Sequence, residues 1–158
     1  MKQLFSGGWP EAFWVFLLLL GLILAAALIF LAARHFRKLA DLGSMDELEG
    51  RDFAYYCAGL LRDHGFLDVE VTRGSGDFGI DVLAEKDGIT YAIQCKCYTG
   101  PVGVSAVGQA YAGRDYYDRM VGVVMTNQYF TEPAVRMADK LKILLWDRGY
   151  LEEMIAEK

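Results

Sequence analysis

Asp81 closes a glycine-rich stretch, and Gln94 and Lys96 stand two positions apart in the otherwise apolar run YAIQCKCY. A carboxylate, an amide and an ammonium are groups that metal-assisted hydrolysis uses. Asp81 is a hard oxygen ligand for Mg2+, which takes one or two carboxylates and keeps several waters. The Gln94 carbonyl and the Cys95 backbone carbonyl can add neutral oxygens. Lys96 can orient or deprotonate an attacking water, or steady the charge that grows on a phosphate. The structural alternative is a buried Asp81–Lys96 ion pair with Gln94 as hydrogen-bond partner, because pairing is what makes buried charge tolerable. The loop at residues 73–79 favours the site. Gly74, Gly76 and Gly79 let backbone approach a ligand closely, whereas a plain turn leaves the two acids it delivers, Asp77 and Asp81, without a reason.

Side chains alternate along a strand, so Gln94 and Lys96 share one face, and Ile93, Cys95 and Cys97 share the other. Residues 80–85 and 89–98 read as strands joined by the turn Lys86-Asp87-Gly88. Opposed residues of such a hairpin lie about 5 Å apart, which can place Asp81 beside Gln94 and Lys96. Upstream, residues 39–43 read as a short connector. Ser44 and Glu47 form a capping-box pattern for a helix that carries Phe53, Cys57, Leu60 and Leu61 and stops at Gly65. His64 then serves only the end of that helix. Residues 66–72 alternate as a strand, with Val69 and Val71 on one face and Asp68 and Glu70 on the other. Downstream, helices are expected at residues 105–119, 131–140 and 150–156, with Thr131 as a cap, and strands at 121–126 and 142–146. The fold class is α/β: three strands linked by hairpins, then helical crossovers, giving a mixed sheet with helices on both faces.

Composition adds a second feature. Residues 13–33, FWVFLLLLGLILAAALIFLAA, carry no charge, and a helix of 21 residues spans roughly 30 Å, the hydrocarbon thickness of a bilayer. A cleaved signal peptide fits less well, since its apolar core is shorter and a basic start precedes it. Trp9 and Trp14 suit an interfacial belt. Arg34, Arg37 and Lys38 follow the span, against Lys2 before it, so the positive-inside tendency places the following domain in the cytoplasm. The expected plan is an outer tail at residues 1–12, a transmembrane helix at 13–33, a basic juxtamembrane linker at 34–44 and a domain at 45–158, held at a bacterial inner membrane. The odd set Cys57, Cys95 and Cys97 gives no disulfide framework and lacks the further ligands a zinc site needs. After residue 38 there are 12 Lys and Arg against 20 Asp and Glu, a net of −8, which argues against strong non-specific binding to a polyanion.

The ordered set GSGDFGIDVL, YAIQCKCY, PVG, AYAGR, VVMTNQYFTEPA and LLWDR resembles the Mrr-type restriction endonuclease catalytic domain, of the P-D-(D/E)-x-K nuclease superfamily, over roughly residues 46–155. The resemblance implies a restriction-endonuclease-like αβββαβ core and a DNA endonuclease that uses Mg2+, with Mn2+ as the alternative ion. It carries catalytic roles onto Asp81, Gln94 and Lys96, and metal binding onto Asp81, Gln94 and Cys95. Two positions depart from the pattern. Relatives often place a glutamate after the helix aromatic, where this chain has Ala54 after Phe53; Glu49 lies about a turn earlier, and Asp77 and Glu70 are the other acids within reach. Cys97 stands where relatives commonly carry arginine. Gln109 is a further candidate for touching DNA, with helix packing as the plainer reading. The departures keep open a second reading, a degenerate nuclease fold that binds DNA or protein. RNA as the substrate and a homo-oligomeric state are likewise open.

Overall fold

The structure, a computed structural model, describes residues 11–74, 76 and 78–157. It divides into two units, Met1–Leu39 and Ala40–Lys158. Helix α1 (Glu11–Glu47) contains the stretch Phe13–Ala33, which is long and apolar enough to cross a membrane, with mean hydropathy 3.1 and none of it buried against protein. The connector expected at residues 39–43 is helical, and Ser44 lies inside α1 rather than capping a new helix. Leu39, Ala40, Leu42, Met45 and Glu47 are strong or adequate helix formers, and one interior glycine, Gly43, costs only about 1 kcal/mol. The chain turns instead at Gly50, whose φ of 47° suits a residue without Cβ, and α2 (Arg51–Asp63) begins there.

The second unit is built on a five-stranded sheet in sequence order. Strands β1 (Leu67–Val71), β2 (Val82–Lys86) and β3 (Ile89–Lys96) are antiparallel neighbours, while β4 (Val121–Thr126) and β5 (Ile143–Trp146) run parallel to β3. The β2–β3 turn is set by Asp87 and Gly88, both at positive φ (54° and 77°), the conformation a two-residue hairpin loop requires. Parallel pairing needs crossovers, supplied by α3 (Val104–Tyr116) and α4 (Glu132–Leu141). Thr131 caps α4 by accepting from the Ala134 N–H, as the sequence suggested. The last helix, α5 (Arg148–Ala156), starts two residues earlier than expected because Asp147 caps it through the Tyr150 N–H.

Alternation along the strands separates two cores. Val82, Ile93, Cys95, Val123 and Met125 face α2 and α5, packing with Phe53, Cys57, Leu61 and Leu151. Val124 faces the other way, against Ala106, Val107 and Ala110 of α3 and Ala134 and Ala138 of α4. Each fully buried Leu, Ile, Val or Phe contributes about 1.5–3 kcal/mol, and the period of two along β3 forces Gln94 onto the α3 side.

A polar knot ties the end of α1 to this sheet. Arg148 grips Asp46 with two nitrogens, at 2.8 and 2.9 Å. Asn127, 1% exposed, donates to Asp46 at 3.0 Å and also binds both backbone groups of Tyr98. Asn127 is thus committed to structure.

The Arg148 hydrogen bonds, with help from Asn127, hold the Asp46 carboxyl below its ordinary value of 3.8 despite some desolvation. The folded chain therefore keeps this group ionised at a pH where the unfolded chain binds a proton. The stability it contributes is present above the ordinary carboxylate range and is lost as pH falls through and below it. Asp46→Asn should lower stability at pH 7 by about 0.5–1 kcal/mol, small because the pair is partly exposed. In circular-dichroism melts of the full chain in mild detergent, the gap to wild type should narrow as pH falls through and below the ordinary carboxylate range; a gap independent of pH would contradict the assignment.

Candidate active site

Asp81 sits at the point where the chain enters β2, and its backbone is fixed from both sides. Its N–H donates to the Ile93 carbonyl at 2.9 Å, and its carbonyl accepts from Thr72 N at 2.9 Å. The Thr72 hydroxyl donates to the Ile80 carbonyl at 2.7 Å. Ile80 itself is fully buried against α3, where only a glycine fits: a Cβ on Gly113 would lie 2.2 Å from the Ile80 side chain. The Asp81 side chain then continues the β2–β3 ladder beyond the main-chain pairing. Its Oδ2 accepts the Cys95 N–H at 2.7 Å and the Gln94 side-chain amide in a short contact.

Gln94 is 2% exposed, and its Nε2 also donates to the Cys95 carbonyl, at 3.2 Å. Its Oε1 is buried and has no hydrogen-bond partner among the described residues. An orphaned buried carbonyl costs about 1–3 kcal/mol, so it calls for an explanation. The two ends of a glutamine amide have nearly the same shape. Turning the amide over would bring Oε1 to the place where Nε2 now meets the Asp81 carboxylate and the Cys95 carbonyl. Three oxygens would then face one point, an arrangement that a cation relieves. One carboxylate and two neutral oxygens suit a hard divalent ion. Gly79, at φ 80°, makes room for this glutamine: a Cβ there would lie 2.9 Å from Gln94 Oε1 and 2.9 Å from Gln109 Cβ.

Asp81, Gln94, Cys95 and Lys96 all line one open cleft of about 400 Å³. Lys96, the last residue of β3, is half-buried, as is Asp81. The other candidates fall differently. Glu49 is exposed, and Glu70 pairs opposite Leu83 on β1; neither lines the cleft. Gln109 of α3 packs beside Gly79. Asp77 lies outside the described residues. Ala54, where an acid was expected by resemblance, is a buried part of the cleft wall.

Cys95 and Cys97 supply no thiolate. Contact with Cys57, and then burial, push the Cys95 thiol well up; burial, with the nearby charges of Asp46 and Glu49, raises Cys97. Both remain protonated at neutral pH, and all three cysteines are free, as expected for small core residues. Arg51 was missed at the sequence level. It too lines the cleft, and its place at the first residue of α2, where a cation has the wrong sign for the helix dipole, emerges only with the observed helix start.

A helix, an antiparallel three-strand meander and two helical crossovers onto parallel strands, with polar groups gathered where β2 and β3 meet the loop, form a restriction-endonuclease-like α/β domain. Residues 45–155 match the family model of the Mrr catalytic domain, described as a restriction endonuclease, and the chain belongs to that family. A comparison with curated proteins returned no significant match. Similar solved structures include a protein of unknown function, AF1548, with 29% identity and TM-score 0.51, covering 61% of this chain and 57% of that one. The DNA modification-dependent restriction endonuclease AspBHI matches with 18% identity and TM-score 0.58, covering 77% of this chain and 35% of that one. The restriction endonuclease MspJI, in complex with a 27-mer oligonucleotide, matches with 19% identity and TM-score 0.50, covering 76% of this chain and 31% of that one. At such identities the two enzymes show the fold alone. This chain matches about a third of each enzyme and just over half of AF1548.

Gly79→Ala tests how the loop makes room for the amide. A side chain at positive φ, pressed against Gln94 and Gln109, should cost about 1–3 kcal/mol. Denaturant unfolding should show this loss, and a stability equal to wild type would mean that Gln94 is not held as described.

Proposed function

We propose that this chain is a membrane-anchored, divalent-metal-dependent DNA endonuclease. The observation that carries the reading is the meeting of the Asp81 carboxylate and the Cys95 carbonyl at one amide of Gln94, whose own oxygen is buried without a partner. Asp81, Gln94 and the Cys95 carbonyl would hold Mg2+, or Mn2+ in its place. The bound ion would act as a Lewis acid and make water a better nucleophile at neutral pH. Lys96, at the mouth of the cleft, would orient the attacking water or neutralise charge on the phosphate oxygens. Water adds to phosphorus and releases a proton to solvent, the P–O bond to the leaving sugar oxygen breaks, and that oxygen takes up a proton from solvent.

The membrane part rests on the length and apolar character of Phe13–Ala33 in α1 and on the bases that follow it. In this plan residues 1–12 lie outside, 13–33 span an inner membrane, 34–44 leave it and 45–158 work in the cytoplasm. A nuclease held at the envelope meets incoming DNA at high effective concentration, which offsets weak intrinsic affinity and suits restriction of foreign DNA.

Ala54 in the cleft wall favours a second reading, a degenerate nuclease fold that binds DNA or protein without cutting. Plasmid nicking by the full chain, with Mg2+ or Mn2+, separates the two. On the nuclease reading wild type nicks, and Asp81→Ala and Lys96→Ala each lose at least about 10²-fold. Wild type and both variants equally inert, with plasmid still bound, would establish the non-cutting module.

A further inference from the structure

Arg51 is the first residue of α2 and forms the side of the cleft facing β3. Its Nη1 donates to the Arg73 carbonyl at 2.8 Å, and its Nη2 to the Thr72 carbonyl at 3.0 Å and the Tyr55 hydroxyl at 3.5 Å. The Tyr55 ring lies 5.6 Å from the guanidinium carbon. Gly74 completes the seat, since a Cβ there would lie 2.8 Å from Nη1. A guanidinium carries five N–H donors in a fixed fork. These bonds use three, which leaves Nε–H and one Nη1–H.

Three features make this a poor place for a cation that does nothing but clamp a loop. Its partners are neutral, and among the described residues no ion pair includes Arg51. It stands at the positive end of a helix. Among the described residues that line the cleft it stands with Lys96 against one acid, Asp81, so that lining is net positive inside a unit whose sequence is strongly acidic. A fixed planar donor with spare N–H groups and no carboxylate matches the non-bridging oxygens of a phosphodiester.

We propose that Arg51 is a phosphate-binding residue of the cleft: it grips the backbone of the DNA strand beside Asp81. This rests on the nuclease reading and adds the residue that seats the substrate. Its bond to Thr72, whose N–H holds the Asp81 carbonyl, couples the grip to the position of that carboxylate.

The test is binding of a short DNA duplex to the full chain in detergent with EDTA, across a salt series. Arg51→Gln should weaken binding several-fold, alike for different sequences, and reduce the slope of log K against log salt by about 1. Arg51→Lys, which keeps the charge, should retain the slope. A melt of each variant reads the clamp separately. If wild type nicks plasmid and both variants keep the wild-type slope, Arg51 is only a clamp and the inference fails alone. If wild type neither binds nor nicks DNA, the nuclease reading fails and takes the inference with it.

Discussion

The bond from the Cys95 N–H to Asp81 Oδ2, at 2.7 Å, is the constraint on which the site depends. It makes a side chain do the work of a backbone carbonyl at the end of the β2–β3 ladder. A carboxylate placed there must point along the sheet toward β3, and its second bond draws in the Gln94 amide. Everything upstream serves that placement. Thr72 holds the carbonyls of Ile80 and Asp81 together from the end of β1, and Gly113 lets Ile80 sink against α3. Rigid elements on both sides thus fix a group that enters from a loop, which is how a scaffold turns a flexible segment into a defined site.

The same geometry bears on charge. An acidic domain is a poor partner for a polyanion at long range, where net charge governs encounter. At contact the relevant charges are those within a Debye length, about 8–10 Å at physiological salt. Among the described residues that line the cleft, Arg51 and Lys96 stand against Asp81, with Asp46 and Glu49 close enough to act on Cys97. The neutral thiols of Cys95 and Cys97 add no negative charge. Local sign and overall sign can therefore differ, and the local one decides what the cleft accepts.

Much of this was legible in the sequence because it is local. The Asp87-Gly88 turn, the alternation through β3, the apolar run of β4 and the Thr131 cap are each written in a few adjacent residues, and each stands where expected. The pairing of Asp81 with Gln94 follows from that hairpin register. What was hidden is non-local. Nothing near Asp46 announces Arg148, 102 residues away, and Asn127 looks like an ordinary loop residue until Tyr98 is placed beside it. Ser44 and Glu47 satisfied a capping pattern that helix continuity overrode, because residues 39–47 extend α1 at little cost. Arg51 was hidden for the same reason as Asn127: its partners are carbonyls of Thr72 and Arg73, on a loop that no helical periodicity connects to it.

Ala54 and Gln94 together define how a cation would have to be held. With an alanine on the α2 wall and an amide where an acid could stand, the donor set brings one formal negative charge, from Asp81, and two neutral oxygens. Mg2+ is octahedral and gives up its waters reluctantly, so sites of this kind are completed by substrate phosphate oxygens rather than by protein alone. On the nuclease reading, metal affinity and substrate affinity would then be two sides of one coupling, each raising the other by the same factor. A residue that seats a phosphate, as inferred for Arg51, would strengthen metal binding only with DNA present, whereas loss of the Asp81 carboxylate would weaken it in either case.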